Sequence, residues 1–441
     1  MSRSNNIFFW AITAALGGFL FGFDTAVISG VEQTLQRIWS LSPFQHGLTV
    51  SIALIGTVIG AMFGGIPADK LGRRQTLFWI AISYLLSAIG TALAFDWSWF
   101  LVFRFLGGLG VGASSVAAPM YITEISPAHS RGRMVALFQF NVVFGILMAY
   151  VSNYFLQDVA IESWRWMLGV QIIPSGLFII TVLIIPESPR WLALKAGKDD
   201  EALFVLQQID PATASATLKS ILSTRQTTTL AQPKLFSSRY KTPVMLAILF
   251  AFFNQMSGIN AIIYYAPRIF EMTGLGKDSS LLSSAGIGLT NLVFTLLGLN
   301  MIDRFGRRKL MLVGSVGLII TLGLVARAFY LEEFGMNVPI LLFVYIAFFA
   351  FSQGAVIWVF ISEIFPNEVR ANGQALGSFT HWIMAAVVAF SFPSIASYLG
   401  GGHTFLFFAG MMLLQLLFVW KIMPETKGSS LEAMEHSVFV H

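Results

Sequence analysis

Apolar stretches about 20 residues long recur along the whole chain of 441 residues. A helix needs about 20 such residues to cross the roughly 30 Å hydrocarbon core of a bilayer. The stretches predict transmembrane spans at roughly residues 7–29, 47–68, 76–95, 98–121, 134–156, 165–186, 242–265, 279–302, 309–330, 338–362, 373–397 and 403–423. These runs are too long and too uniformly apolar for the alternating strands of a membrane barrel. We therefore predict an all-α integral membrane protein with 12 transmembrane helices.

The composition agrees with insertion into a membrane. Hydrophobic residues make up 56% of the chain and charged residues only 11%, whereas about one quarter is charged in soluble domains. The first span begins close to Met1, lacks a small-residue cleavage site and contains Asp24, so we expect a retained helix and not a signal peptide. The absence of cysteine excludes disulfides and thiolate chemistry.

Basic residues predict the orientation, because loops rich in Lys and Arg remain in the cytoplasm. With the N-terminus inside, 21 of the 27 Lys and Arg fall on the cytoplasmic side, 5 fall on the outer side, and Arg104 lies within a span. Both termini are then cytoplasmic, and we expect a multi-pass protein of the cell membrane. The same bias accounts for the net charge of +5 without a nucleic-acid partner.

The sequence contains an internal repeat. The segments "ADKLGRR" (68–74), "MYITEISP" (120–127) and "PESPR" (186–190) return as "IDRFGRR" (302–308), "VFISEIFP" (359–366) and "PETKG" (424–428). An even number of spans per half keeps both copies in the same orientation, an arrangement found in transporters. We predict an N-terminal six-helix half (1–186), a cytoplasmic helical linker domain (187–241), a C-terminal six-helix half (242–424) and a cytoplasmic tail (425–441).

Together these motifs resemble the sugar porter family of the major facilitator superfamily. "GGIPADKLGRR" is similar to the superfamily's loop between spans two and three, "PESPRWL" and "PETKG" to the sugar porters' motifs after spans six and twelve, and "QMSGINAIIYYAP" to their seventh span. The resemblance covers about residues 17–428. It implies the major facilitator fold and transport of a monosaccharide across the lipid bilayer, with the proton as coupling ion and no cofactor or metal. A single bundle suffices for transport, so we expect a functional monomer.

Asp24 is a carboxylate within the first span. Such a group costs at least about 2.5–3.5 kcal/mol at mid-bilayer on insertion scales, and it usually faces a cavity and has a partner. Arg104 in span four is the only basic residue well within a predicted span. Because arginine keeps its proton, we predict that Asp24 takes up a proton when the pair separates. The resemblance implies the same, since proton-coupled sugar porters carry Asp and Arg at these positions; a static ion pair is the alternative.

Neutral polar and aromatic residues in the spans are candidates for a sugar site, since hydroxyls need donors and acceptors and sugar CH surfaces pack on aromatic faces. The polar candidates are Gln139, Asn254, Gln255, Asn260, Tyr264 and Asn291. The resemblance adds the aromatic positions Trp358 and Trp382. His381, beside Trp382, could bond a sugar hydroxyl, titrate or satisfy a neighbour. Hydrogen bonds between helices are the alternative role for all of these polar groups.

Acidic and basic residues cluster at the predicted cytoplasmic span ends, and the cluster repeats between the halves. It comprises Asp69, Arg73, Arg74, Glu124, Arg131, Arg133, Glu187 and Arg190 in the first half and Asp303, Arg307, Arg308, Glu363, Arg370 and Glu425 in the second. In the family, such ion pairs form a cytoplasmic gate that is closed while the binding site faces outward. A solvated basic rim is the alternative. Since an exposed pair contributes only about 0–1 kcal/mol, a gate requires a network of several.

We therefore predict a secondary active transporter that works by alternating access, a proton symporter for a hexose such as glucose or for xylose. Ile146 resembles the glucose carriers more than the xylose symporter and favours a hexose. A passive sugar uniporter and a non-transporting sugar sensor are the alternatives, although a sensor would be expected to have a longer cytoplasmic tail. We do not expect an enzyme, because no cluster of His, Cys or paired acids has the spacing of a metal site or an activated nucleophile.

Overall fold

The structure is a computed structural model that describes residues 3–127, 130–226, 235–366 and 369–427. Most of the predicted tail 425–441 lies outside the described residues. Within the described part of the chain, eleven helical segments are long and apolar enough to cross a membrane. They are Asn6–Gly30, Pro43–Phe63, Arg73–Ala92, Trp97–Ile125, Arg131–Leu156, Ser163–Ile184, Ser238–Met272, Lys277–Phe305, Arg307–Leu331, Asn337–Glu363 and Arg370–Lys421.

The last of these segments contains two spans. Its 52 residues would extend about 78 Å at about 1.5 Å per residue, more than twice the roughly 30 Å of hydrocarbon. Gly400 interrupts it with φ 77° and ψ 166°, a conformation in which glycine is favoured because it has no Cβ. The predicted division of the chain into twelve membrane-spanning helices is therefore confirmed.

Four spans consist of more than one helix. The first is Arg3–Val27 followed by the 3₁₀ turn Ile28–Gly30, the sixth is Ser163–Gly169 and Ile172–Ile184, the seventh is Lys241–Met256 and Ile259–Met272, and the tenth is Asn337–Phe349, the π-helix Ala350–Gly354 and Ala355–Glu363. Interruptions of this kind free backbone groups and commonly occur at functional sites. They therefore mark the places where ligand binding or motion is expected.

Short helices connect the spans. Glu32–Ile38 follows the first span and Gly65–Leu71 precedes the third. The linker after span six contains Pro189–Trp191, the π-helix Leu192–Ala196, Asp199–Ile209 and Ala214–Gln226, and a 3₁₀ turn at Ser238–Tyr240 begins span seven. Most described residues of the predicted linker 187–241 are helical, and short turns such as 210–213 separate the helices.

The chain divides into two compact units by its contacts. Unit 1 comprises Met1–Thr25, Ile55–Ala149 and Val159–Ala231, and unit 2 comprises Ala26–Leu54, Tyr150–Asp158 and Gln232–His441. Unit 2 therefore includes one end of spans one, two and five together with spans seven to twelve. The boundaries predicted from the repeat remain predictions.

Close helix packing in unit 1 brings span four against span two. A Cβ on Gly60 would collide with the backbone carbonyl of Leu109, and a Cβ on Gly56 with that of Phe105. Small residues at such positions allow two membrane helices to approach backbone to backbone. This packing fixes the segment of span four that carries Arg104.

Candidate functional site

Asp24 and Arg104 form an ion pair inside unit 1. Arg104 Nη1 donates to Asp24 Oδ1 over 2.9 Å, and Nη2 donates to the Asp24 carbonyl oxygen over 3.2 Å. The side chains are only 2% and 1% exposed, respectively. The contact predicted from the sequence is present, and it joins spans one and four.

The surroundings of the pair leave part of the guanidinium unsatisfied. Among the described residues, none accepts a hydrogen bond from the buried Arg104 Nε. Gly107, one turn further along span four, leaves space near the carboxylate, since a Cβ there would lie 3.5 Å from Asp24 Oδ1. Removing one partner of a buried ion pair is strongly destabilising, so the contact between Asp24 and Arg104 holds spans one and four together at this point.

The break in the seventh span gathers amide side chains in unit 2. Gly258 has φ 84° between the helices Lys241–Met256 and Ile259–Met272. Across it, Asn260 Nδ2 donates to Gln255 Oε1 over 2.6 Å, and Gln255 Nε2 donates to Asn254 Oδ1 over 2.9 Å. All three amides are buried. Helical spacing alone would not join Gln255 to Asn260, so the break itself creates this chain of hydrogen bonds.

Aromatic rings extend the amide chain. Gln255 Nε2 lies 3.2 Å from each ring nitrogen of His381. The His381 ring lies between Trp358, at 4.9 Å between centroids, and Trp382, at 4.7 Å and nearly perpendicular. Trp358 is exposed while Trp382 is buried. The three rings and the amides thus combine apolar faces with groups that donate and accept, which are the chemical requirements of a sugar site.

The other sugar candidates are placed separately. Tyr264 is buried one turn beyond Asn260 on the same helix. Asn291 accepts a hydrogen bond from Thr295 on its own helix over 3.3 Å, and Gln139 belongs to unit 1, where it is partly buried. The described contacts therefore join only some of the predicted set.

Sequence analysis missed Gln353. This side chain lies in the π-helix of span ten and is fully buried, and its backbone carbonyl accepts from Asn254 Nδ2 over 3.4 Å. Its Oε1 has no partner in the described part of the chain. A neutral amide within the apolar run "AFFAFSQGAVIW" was the available signal. A buried, unsatisfied acceptor beside the amide chain makes Gln353 a further candidate for the sugar site.

Arg73 is the centre of a charged network in unit 1. Its Nε and Nη2 donate to Glu124 over 2.9 and 3.0 Å in a bidentate arrangement. Its Nη1 donates to Asp69 Oδ1 over 3.1 Å and to the Ala68 carbonyl over 2.9 Å. Ser188 Oγ donates to the same Glu124 carboxylate. Bidentate pairs of this type are stronger and more directional than single contacts.

The second copy of the motif repeats this network in unit 2. Arg307 donates to Glu363 over 3.0 and 2.7 Å and to Asp303 over 3.2 Å. Thr426 Oγ1 takes the place of the serine and donates to Glu363 over 2.6 Å. The sequence repeat therefore corresponds to a repeated set of contacts.

Glu187 and Glu425 bind helix N-termini and not arginine side chains. Glu187 accepts from the backbone amides of Arg73 over 2.9 Å and Arg74 over 3.1 Å, and Glu425 accepts equivalently from Arg307 and Arg308 over 2.9 and 3.0 Å. These amides are unpaired at the start of a helix and attract an anion. Burial raises the pKa of Glu187, and the backbone hydrogen bonds oppose that rise.

The glycine of each motif makes room for this carboxylate. Gly306 has φ 88°, and a Cβ there would lie 2.6 Å from Glu425 Oε2. Gly72 has φ 100° and would collide with Glu187 in the same way. The "LGRR" and "PES" or "PET" segments are therefore two parts of one capping structure.

The remaining predicted gate arginines have different positions. Arg74 donates to the carbonyls of Val182 and Leu183 at the end of span six, and Arg308 donates to Val419 and Trp420 at the end of span twelve. The exposed side chains are Arg131, Arg133 and Arg190. Arg370 is partly buried and donates to the Phe365 carbonyl over 3.2 Å. Their role in gating remains a prediction.

Comparisons with known proteins identify the family to which this chain belongs. The family described as "Sugar (and other) transporter" matches residues 10–437. The arabinose-proton symporter of Bacillus subtilis is 39% identical, covering 96% of this chain and 93% of its own length, and the D-xylose-proton symporter of Escherichia coli is 34% identical, covering 98% and 96%.

Solved structures of the xylose transporter XylE from E. coli have the same fold. The structure described as its inward open conformation matches with a TM-score of 0.88 and 33% identity, covering 98% of this chain and 100% of that one. At this coverage the likeness includes both halves of the chain. The protein has the major facilitator fold and is a multi-pass sugar transporter of the cell membrane, not an enzyme, and it belongs to the sugar porter family of the major facilitator superfamily.

Proposed function

We propose that this protein is a proton symporter for a monosaccharide, with Asp24 as the proton acceptor and both termini in the cytoplasm. The buried Asp24–Arg104 pair is the observation that carries the proposal. An intramembrane carboxylate is a candidate for proton coupling by default, and here it has a single basic side-chain partner that cannot release a proton. The cytoplasmic orientation follows from the excess of Lys and Arg on that side.

The chemistry of the pair couples the proton to a change of conformation. While Asp24 is ionised, its Oδ1 accepts from Arg104 Nη1 at 2.9 Å and balances the arginine's charge. A proton on Asp24 removes that balance, and a buried guanidinium without a counter-ion is costly. Protonation therefore favours a state in which spans one and four separate at this point, and deprotonation favours their return.

The sugar is proposed to bind at the amide and aromatic cluster of unit 2. The Asn254–Gln255–Asn260 chain is satisfied internally, so a sugar must offer hydroxyls that replace these hydrogen bonds. Hydroxyls can do so because they donate and accept at one atom. Trp358 supplies an exposed ring on which a sugar CH surface can pack.

The proposed substrate class is an aldohexose or aldopentose. The names of related proteins refer to arabinose, xylose and glucose. These monosaccharides share a pyranose ring with several equatorial hydroxyls, and the amide cluster provides matching donors and acceptors. Ile146 favours a hexose such as glucose, and xylose is the principal alternative. We propose that one chain is sufficient for transport.

The proposal is tested in liposomes that contain the purified protein. Uptake of radiolabelled glucose is measured with and without an inward proton gradient, with xylose, arabinose and galactose as competitors. The variants are Asp24→Asn and, as a matched control, Asp158→Asn, whose carboxylate is exposed and pairs with Lys277 at 3.7 Å. We expect gradient-driven accumulation in the wild type and the control, and exchange without accumulation in Asp24→Asn.

Two other outcomes distinguish the alternatives. Uptake that only equilibrates, and does so equally in wild type and Asp24→Asn, would identify a uniporter in which Asp24 and Arg104 are a structural pair. Binding of the sugar without uptake or exchange would identify a sensor. Either result would overturn the symport proposal.

A further inference from the structure

Four charged or polar side chains from three separate parts of the chain meet in unit 2. Arg268 donates from Nε to Glu32 Oε1 over 2.9 Å and from Nη2 to Glu32 Oε2 over 2.7 Å. His46 Nε2 lies 2.7 Å from the same Glu32 Oε2. Gln36 Oε1 accepts from Arg268 Nη2 over 2.6 Å. One carboxylate therefore holds an arginine in a bidentate pair and a histidine in a second contact.

These residues lie on three different spans or their ends. Glu32 is in the short helix after span one, His46 is in span two, and Arg268 is near the end of span seven. Sequence analysis placed Arg268 in an outer loop and assigned no role to the other two. In the proposed orientation this end of the spans faces the outside. The cluster thus connects the first sequence half to the second at the outer side.

The cluster is largely buried. The Glu32 and His46 side chains are 0% exposed, and that of Arg268 is 25% exposed. Two other charged residues line a cavity of about 540 Å³ together with Arg268. They are Arg37, in the short helix after span one, and Glu271, on the same helix as Arg268. An ion pair withdrawn from water in this way is disrupted severely by the loss of one partner, whereas an exposed pair is not.

The helix that carries Arg268 also carries part of the sugar site. Asn260 and Arg268 are eight residues apart in Ile259–Met272, about 12 Å along a helix. Gly258 breaks the backbone before this helix, and Tyr265, with φ −121° and ψ 18°, bends it again. Asn260 and Arg268 therefore lie on one short segment, with a backbone turn at Gly258 before the amide and a bend at Tyr265 between the two residues.

Other contacts hold the same segment in place. Tyr265 OH donates to the Ala389 carbonyl over 2.9 Å, and its ring lies 5.9 Å from His46. Tyr150 OH from span five donates to the Ile263 carbonyl over 2.7 Å. These are single neutral hydrogen bonds, worth about 0.5–1.5 kcal/mol each. The charged cluster differs from them, because it joins this segment to Glu32 and His46 through a bidentate ion pair and a second charged contact.

We propose that Glu32, His46 and Arg268 form an outer latch. The latch holds the outer half of span seven against spans one and two, and it must separate before the sugar site opens to the outside. Arg268 is a positioning residue, because it acts through the helix it shares with Asn260 and not by touching the sugar. This inference rests on the proposed function for the side of the membrane and for the sugar site.

The test uses the absence of cysteine from the natural chain. Ser29→Cys introduces a single buried thiol in the 3₁₀ turn Ile28–Gly30, which packs against the helix of Arg268. The readout is the rate of labelling by a membrane-impermeant maleimide added outside. We expect Glu32→Gln or Arg268→Gln to accelerate labelling about tenfold or more, because each removes one partner of a largely buried ion pair.

A double variant separates a latch from general loosening. If Glu32 and Arg268 act as a pair, the double variant Glu32→Gln with Arg268→Gln is labelled no faster than the faster of the two single variants, because the effects of paired groups do not add. The matched control is Lys277→Gln, which removes the exposed contact to Asp158 between the same sequence halves and is expected to leave the rate unchanged. Arg268→Lys, which keeps the charge but cannot form the bidentate pair, is expected to give a smaller acceleration.

The proposal is overturned if both single Gln variants label at the parent rate, or if the double variant multiplies their effects. If a Gln variant does not yield folded protein, Arg268→Lys decides, and a parent-like rate then counts against the latch. Labelling only by reagent added on the opposite side would overturn the outer assignment. A failure of proton coupling appears in the Asp24→Asn uptake assay and leaves these labelling rates unaltered, so the two failures can be distinguished.

Discussion

Replacing Arg73 with alanine tests whether the basic motif is a built network or a solvated rim. Arg73 is 9% exposed at its side chain and makes four hydrogen bonds, two to Glu124 and one each to Asp69 and the Ala68 carbonyl. Arg133 belongs to the same predicted gate but is exposed. The two arginines should therefore differ greatly in their effect on stability.

The magnitude follows from what the substitution leaves behind. Hydrogen bonds to charged groups contribute about 1.5–3 kcal/mol each. Glu124, whose side chain is 9% exposed in the native structure, would lose both of its Arg73 donors in Arg73→Ala and keep the hydroxyl of Ser188. Breaking a buried pair by removing one partner costs about 3–5 kcal/mol. Arg133→Ala should change the free energy of unfolding by no more than about 0.5 kcal/mol.

Thermal unfolding of the purified protein in detergent, followed by tryptophan fluorescence, measures the difference. A loss of 1 kcal/mol lowers Tm by about 2–4 °C for folding units of about 150–250 residues. Arg73→Ala should therefore melt about 6 °C or more below the wild type. If Arg73→Ala melts within about 2 °C of Arg133→Ala, the reasoning is refuted, because the buried network then contributes no more than an exposed charge.

Two further predictions concern the sugar site and the cap of span three. His381→Ala should raise KM for the sugar about tenfold, because it removes a ring and the contact with Gln255, which is worth about 1–1.5 kcal/mol. His381→Gln should have a smaller effect, and counterflow kinetics measure both variants. An unchanged KM in the alanine variant would contradict the proposed sugar site. Burial raises the pKa of Glu187 above its unfolded value of about 4.3. The stability it contributes is then present below that value and lost as pH rises through the folded pKa. The wild type should therefore lose Tm relative to Glu187→Gln over the pH range above about 4.3 in which this carboxyl ionises in the folded protein. A constant difference across this range is the contrary result.

Local sequence patterns were sufficient for much of the fold. Hydropathy located twelve spans, because the hydrocarbon core imposes a helix length on every crossing. Hydropathy separated the last two spans, although in the structure residues 370–421 form one helix that is interrupted at Gly400. The repeat identified the charged motifs in pairs because each motif is short and contiguous.

The contacts of the charged motifs were less predictable. Sequence analysis placed Glu187 and Glu425 in a cluster of acidic and basic residues without assigning their partners. In the structure they accept hydrogen bonds from the first backbone amides of the helices that begin after Gly72 and Gly306. A carboxylate at the end of a span can pair with an arginine side chain or cap a helix, and composition does not distinguish these two roles. The choice depends on where the next helix begins, which is a property of the packed structure.

The seventh span shows the limit of periodicity. A continuous helix predicts which side chains share a face, but the backbone turns at Gly258, and the hydrogen bond between Asn260 and Gln255 exists because of that turn. Gln353 comes to the same place from a different span and carried no local signal beyond its polarity.

The sequence by itself determined that this chain is a helical membrane protein of two repeated halves, and it predicted the contact between Asp24 and Arg104. These properties depend on the type and local spacing of residues. Tertiary structure decided which charges are buried and which are solvated, and it alone joined Glu32 to Arg268 across 236 residues. Pairing at that separation depends on how the spans pack, because the energy of a buried ion pair comes from the exclusion of water by neighbouring helices and not from the residues that adjoin it in the chain.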